Sequence, residues 1–284
     1  MTAHAQLLPP GPVDLASIPA DRTAGFKGGK RKGKRALADL GPELSALQER
    51  LYAQGRRGSA RRVLLVLQGM DTSGKGGTLR HTVGLVDPQG VRIASFKAPT
   101  EEELAHDFLW RIRRALPGPG IIGVFDRSHY EDVLVPRVHG LVDEAELERR
   151  YTAINDFERE LTEGGTTVLK CLLHISPEEQ KKRLLARLDQ PSKHWKYNPH
   201  DVDERARWAD YRRAYEIAVE RTNTETAPWY LLPSDSKWYR NLAIGELLLE
   251  ALRGFDLHWP VADFDVDAEW ARLTGEAPVA GVRR

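Results

Sequence analysis

The apolar residues of this chain fall into short continuous runs, separated by longer stretches in which they recur every three or four positions. Short continuous apolar runs suit strands, and the first of them, which ends in glycine, suits a strand buried on both faces. Five occur: Arg62–Gln68 (RVLLVLQ), Val91–Phe96, Ile121–Phe125, Thr166–Ile175 and Trp229–Leu232. Ahead of the first, Leu40, Leu44, Leu47 and Leu51 stand at helical spacing. Thr100 and Glu103 form a capping box, and Leu104, Phe108, Ile112 and Leu116 extend the same period as far as PGPG, which predicts one helix. Asp143 opens another helix, with Leu147, Tyr151, Ile154, Phe157 and Leu161 on one face. Ser176-Pro177-Glu178-Glu179 supplies a capping serine, a proline at the first helical position and a glutamate in the box position. Gly254 ends the last long helix. Strands alternating with helices predict a parallel five-stranded sheet covered on both faces, a three-layer α/β/α architecture.

Composition narrows the choice of chemistry. With 42 basic and 41 acidic residues the net charge is near zero, which disfavours a whole-surface attraction to nucleic acid or membrane. The single Cys171, inside an apolar run, excludes an internal disulfide and reads as a small buried hydrophobe. No apolar stretch approaches the roughly 20 residues that span a bilayer. The N-terminus has no signal-peptide pattern, so a cytoplasmic location is expected. Residues 1–35 are rich in Pro, Gly and charge and read as an arm, mobile or wrapped on the body. Its Lys27, Lys30, Arg31, Lys32, Lys34 and Arg35 are either a solvated tail or an anchor for a polyanion. Residues 36–254 form the expected catalytic domain and 255–284 a tail.

The first strand runs into Gly69-Met70-Asp71-Thr72-Ser73-Gly74-Lys75-Gly76-Gly77-Thr78. This nearly matches G-x-x-x-x-G-K-[ST], in which glycines let backbone N–H groups converge on phosphate oxygens and the lysine adds charge. Gly76 stands where a hydroxyl residue usually helps hold Mg²⁺. Asp71 is therefore the candidate metal ligand within the loop. The third strand closes on Asp126-Arg127, which reads either as a Walker-B carboxylate with a phosphate-gripping arginine or as a helix cap with its ion pair. Late in the chain, residues 181–205 carry Arg183, Arg187 and Lys193, either a closing lid over the phosphates or an ordinary basic helix face. Trp208, Tyr211 and Tyr215 recur at helical spacing as a packing stripe. No histidine has metal-ligand spacing with a cysteine.

In order along the chain, LQGMDTSGKGGT, FKAPTEEELAHDFLWR, VFDRSHYEDVLVPRV, LLHISPEEQKKRLLAR, KHWKYNP and TAPWYLLPSDSKWYRN resemble polyphosphate kinases of the second type, which are related in fold to thymidylate kinase. The resemblance implies a P-loop kinase fold with a helical lid, Mg²⁺ as cofactor, and assembly as a dimer or tetramer. It implies reversible phosphoryl transfer between inorganic polyphosphate and ADP/ATP. Glu131 resembles members that also use AMP. Asp71, Lys75, Asp126 and Arg127 match the family's catalytic positions, with Asp71 and Asp126 as metal ligands. Further phosphate or nucleotide contacts implied are Gly69, Met70, Thr72, Ser73, Gly74, Gly76, Gly77, Thr78, Arg80, Lys97, Arg111, Ser128, Tyr130, Glu131, Arg137, Arg183, Arg187 and Lys193. Two alternatives remain at this stage: an ATP-dependent nucleoside monophosphate kinase, and a non-catalytic nucleotide- or polyphosphate-binding regulator.

Overall fold

In the computed structural model, which describes residues 4–275, the five apolar runs are the strands of a single sheet. They are β1 (Arg62–Gln68), β2 (Val91–Ser95), β3 (Ile122–Asp126), β4 (Thr166–His174) and β5 (Trp229–Pro233). All pairs are parallel and the order is β2-β3-β1-β4-β5. β1 lies between β3 and β4, so the chain leaves it in opposite directions, and the crevice at such a switch point opens at the strands' carboxyl ends.

Alternate residues of β1 feed two cores. Leu64 and Val66 pack with Ile154, Phe157 and Trp229 on one face, whereas Val63, Leu65 and Leu67 pack with Leu44, Ile244 and Leu248 on the other. The first face is covered by α5 (Glu131–His139), α6 (Glu144–Glu163) and α9 (Trp208–Thr222). The second is covered by α1 (Lys30–Gly55) and α10 (Lys237–Arg253). Cys171 is fully buried in that second core, as expected of a small hydrophobe.

Two elements differ from the sequence expectation. The predicted helix after Thr100 is two short ones, α3 (Glu101–Leu104) and α4 (Trp110–Ala115). The Thr100/Glu103 capping box is present, but Asp107 interrupts the helix by accepting the Leu109 N–H on its carboxylate at 3.0 Å, an alternative to helical bonding. Helix α1 begins at Lys30, within the stretch read as arm, and continues through Pro42. The reason is tertiary: Gly33 lies flat against Trp238, where a Cβ would come within 2.1 Å of the ring.

Residues 4–29 form a strap pinned across the end of the sheet. Leu7 makes an antiparallel bridge with Tyr230, and Leu8 N–H donates to the Trp229 carbonyl. Leu8, Leu15 and Ala20 are buried, and the basic residues from Lys27 to Arg35 are exposed. Beyond Gly254, residues 257–263 are tied to Arg50 and Gln54 of α1 and to Arg57 in the turn after it, and α11 (Val266–Thr274) follows. Residues 1–3 of the arm and 276–284 of the tail lie outside the described residues. Among the described residues no helix is long and apolar enough to cross a membrane.

Candidate active site

The glycine loop follows β1 directly and leads into α2 (Lys75–His81). Gly69 and Gly74 have φ of +145° and +116°, and a Cβ on Gly69 would come within 2.6 Å of the Leu173 carbonyl. Two residues of the site that are not glycine share this left-handed region, Thr72 (φ +61°) and Arg127 (φ +65°). Such strain persists only where the surroundings over-determine it, as they do at binding sites. The Lys75 ammonium folds back to donate to the Gly69 carbonyl at 2.7 Å. Around Gly76 a Cβ would meet nothing, so the space before the loop is open there.

Asp71 and Arg127 bring the two motifs together, Arg127 Nη2 donating to Asp71 Oδ1 at 2.9 Å. Burial works against the Arg127 charge, but Glu131 and Asp71 outweigh it and raise its pKa. Burial also pulls the Lys75 pKa down, with Arg127 adding repulsion and Asp71, Asp126 and Glu131 opposing. Asp126 is half-buried at the end of β3, and its carboxylate makes no hydrogen bond among the described residues. Glu131 opens α5, and desolvation raises its pKa against the pull of Arg127 and Lys75. With the Gln68 amide turned to satisfy its neighbours, its nitrogen donates to Glu131 at 3.0 Å and its oxygen accepts from Ser128.

Gly69, Met70, Asp71, Arg127 and Glu131 line one cleft of about 220 Å³. Its opposite wall comes from α8 (His200–Ala206) and α9: Asp201, Glu204, Arg205, Trp208 and Tyr211. Helix α8 is held down on both sides. Arg205 donates to Gln180 at 2.7 Å, and Gln180 in turn donates to the Asp71 carbonyl at 3.1 Å. Glu204 meets His139 of α5 at 3.1 Å and accepts from the Tyr211 hydroxyl.

Several residues expected to contact phosphate are placed elsewhere. Arg183, on α7 (Pro177–Leu188), is buried with all five N–H groups engaged: by Glu179 and by the carbonyls of Thr72, Ser73, Ser234 and Asp235. It braces the loop from beneath rather than reaching over it. Arg111 is buried too, tying the Lys97 carbonyl to Asp132, while the Lys97 side chain is exposed. Arg137 gives its fork to Glu144. Tyr130 is fully buried, donating to Glu158 and bonded to Thr222, and Ser128 is buried against Gln68. Arg187 donates to Asp201 and to the Lys196 carbonyl, which orients α8. Lys193 is half-buried near Lys237. Arg80 is exposed and Thr78 is buried, its hydroxyl turned to the Gly74 carbonyl.

Sequence reasoning missed the far wall. Of the aromatic stripe, Tyr215 packs in the core and Tyr211 against it, as expected, but both also line the cleft together with Trp208. Their spacing was visible, and the signal that distinguishes them is the charge between them and on α8. Nothing in the sequence marks Gln180.

The profile of the polyphosphate kinase 2 family matches residues 27–258. The chain belongs to that family. It is 47% identical over 252 residues to the AMP/ADP-polyphosphate phosphotransferase of Meiothermus ruber, covering 89% of this chain and 93% of that one. It is 39% identical over 260 residues to the ADP-polyphosphate phosphotransferase of Rhodopseudomonas palustris, covering 87% and 88%. The crystal structure of polyphosphate kinase 2 from Arthrobacter aurescens superposes with a TM-score of 0.93 at 55% identity, covering 97% of each chain. The family-level fold expectation therefore holds.

Proposed function

We propose that this polyphosphate kinase 2 transfers the terminal phosphoryl group of inorganic polyphosphate to ADP and AMP, reversibly and with Mg²⁺. The observation that carries this reading is the Asp71–Arg127 contact, which joins the glycine loop and the second motif at the mouth of one cleft. The names of its Meiothermus and Rhodopseudomonas relatives support the donor and the acceptors.

Phosphoryl transfer asks a protein for positioning and charge rather than covalent chemistry. Lys75 exchanges the Gly69 carbonyl for phosphate oxygens, and Arg127 swings its fork from Asp71 toward the migrating group. The acceptor is already an ionised phosphate, so the reaction needs no general base. Asp71 and Asp126 are half-buried carboxylates flanking Lys75, and two carboxylates plus substrate phosphates satisfy the preference of Mg²⁺ for oxygen ligands. When bound, the ion would supply positive charge to the phosphate oxygens. Trp208 and Tyr211 offer flat apolar surface for a nucleotide base. Residues 181–205 act as the lid, and Arg187 and Lys193 are its cations. The transfer conserves one phosphoanhydride bond for another, so concentrations set its direction. Work on cytoplasmic nucleotides by a dimer or tetramer completes the reading.

The test mixes the purified protein with polyphosphate, Mg²⁺ and either ADP or AMP and follows ATP by luminescence. ATP from ADP is expected, and ADP followed by ATP from AMP. Nucleotide phosphorylation by ATP with none from polyphosphate would overturn the proposal. Omitting Mg²⁺ and weighing the protein by light scattering check the cofactor and the assembly.

A further inference from the structure

Beneath the glycine loop lies a second buried arginine, Arg240, in the first turn of α10. It is 1% exposed. Its Nη1 donates to the Ser73 carbonyl at 2.9 Å, and Nε and Nη2 both donate to Asn241 Oδ1 at 3.2 and 2.8 Å. Three of its five N–H groups are used, all on neutral oxygens. Its guanidinium fills the space that side chains on the loop would need: a Cβ at Gly74 would come within 1.8 Å of Nη1, and one at Gly77 within 2.8 Å of Nη2. Two glycines of the motif are thus glycines toward Arg240 as well as toward the ligand.

The charge of Arg240 has no carboxylate partner within ion-pair distance among the described residues. Arg183, which shares the Ser73 carbonyl with it, pairs with Glu179. A buried charge is costly unless it is paired. Burial and Arg183 both work against it and lower its pKa. A guanidinium keeps its proton at physiological pH, so the free protein carries this penalty.

We propose that Arg240 is a positioning and charge-supplying residue for the donor: it holds the loop from behind, and its uncompensated charge is balanced by the polyphosphate that the loop grips. This rests on the reading that the glycine loop binds phosphate. Its distinctive consequence is an inverse relation between the stability of the free protein and its affinity for polyphosphate. Supplying a carboxylate to Arg240 from within should satisfy the charge that the ligand otherwise satisfies.

Asn241→Asp does so without removing the brace, since the two side chains have the same shape. The expected result is a higher melting temperature for the free protein, together with at least about a tenfold weaker dissociation constant for long-chain inorganic polyphosphate, because a nearby unit charge in a partly desolvated site is worth that much or more. Arg240→Met should lose the polyphosphate-induced rise in melting temperature, and Arg240→Lys should retain part of it. A folded Asn241→Asp protein that binds polyphosphate as tightly as the parent would overturn the proposal even if Arg240→Met fails to fold. Lys75→Ala separates the two ideas. If it keeps the full polyphosphate response, the loop reading is wrong. If it loses the response while Asn241→Asp keeps it, only the role of Arg240 is wrong.

Discussion

Asp71 and Arg127 stand 56 residues apart in sequence and 2.9 Å apart across the mouth of the cleft. One belongs to the loop after the central strand and the other to the loop after its neighbour β3, and Arg127 reaches the contact from a left-handed backbone conformation (φ +65°). Each holds the other in place until phosphate oxygens arrive.

Asp71→Asn and Lys75→Ala should therefore abolish turnover while leaving the fold intact. Removing one charge-stabilising group from a preorganised site costs about 10²–10³ in rate. Steady-state ATP synthesis from polyphosphate, read beside thermal melts by circular dichroism, checks this. A mutant that kept most of its activity would refute the assignment.

Glu131 should reveal itself by pH. Burial sets its folded pKa above the unfolded value, so the folded chain binds the extra proton between the two. The cost of ionising it is absent below the unfolded pKa and grows as pH rises through the folded one. Glu131→Gln should consequently raise the melting temperature by about 1–3 °C at pH 7, with the gain shrinking toward pH 4. The same variant should lose kcat/KM for AMP more than for ADP. Equal losses would separate Glu131 from acceptor choice.

Beneath the second motif, Lys170 donates to Glu158 at 2.6 Å, and Glu158 also meets His129 and Tyr130, all of them fully or almost fully buried. Burial alone would raise the Glu158 pKa, but Lys170 and His129 overcome it and hold it low. Lys170→Met should cost about 3–5 kcal/mol in urea unfolding, because it strands a buried carboxylate. The double variant Lys170→Met/Glu158→Leu should recover part of that loss. A single variant within about 0.5 kcal/mol of the parent would show that the pair is not sustaining the core.

The basic turn at the start of α1 allows a cleaner test than truncation. Deleting residues through Arg35 would also remove Leu8 and Leu15 from the core. Replacing the exposed Lys30, Arg31, Lys32, Lys34 and Arg35 by Gln should leave the melting temperature nearly unchanged. It should weaken long polyphosphate by about threefold to tenfold, and more so at low ionic strength. An unchanged affinity would make this turn an ordinary solvated surface.

Most of the sheet was legible because β1, β3 and β4 are apolar runs with a glycine close by, and parallel strands buried on both faces leave that signature, whereas the edge strand β2 is largely exposed. The glycine loop and Asp126-Arg127 were legible for a related reason: their chemistry depends on residues adjacent in sequence. Long arginines were not. Arg111, Arg137 and Arg183 share a composition with phosphate-binding residues, yet each spends its fork on a carbonyl or carboxylate of another element. Only tertiary structure decides where such a side chain ends. Local reasoning likewise could not foresee that Asp107 would split a helix or that Trp238 would draw Gly33 into one.

The strap has a bearing on how the molecule comes into being. Gln6 and Tyr239, joined by a hydrogen bond of 2.8 Å, are separated by 233 residues. During synthesis the strap leaves the ribosome well before β5 and α10, and it must wait for them before it finds these partners. Contacts of such long span make folding slow and leave apolar surface uncovered in the interval. Leu8 then stays bare until β5 arrives to receive it, and Leu15 until α9 does.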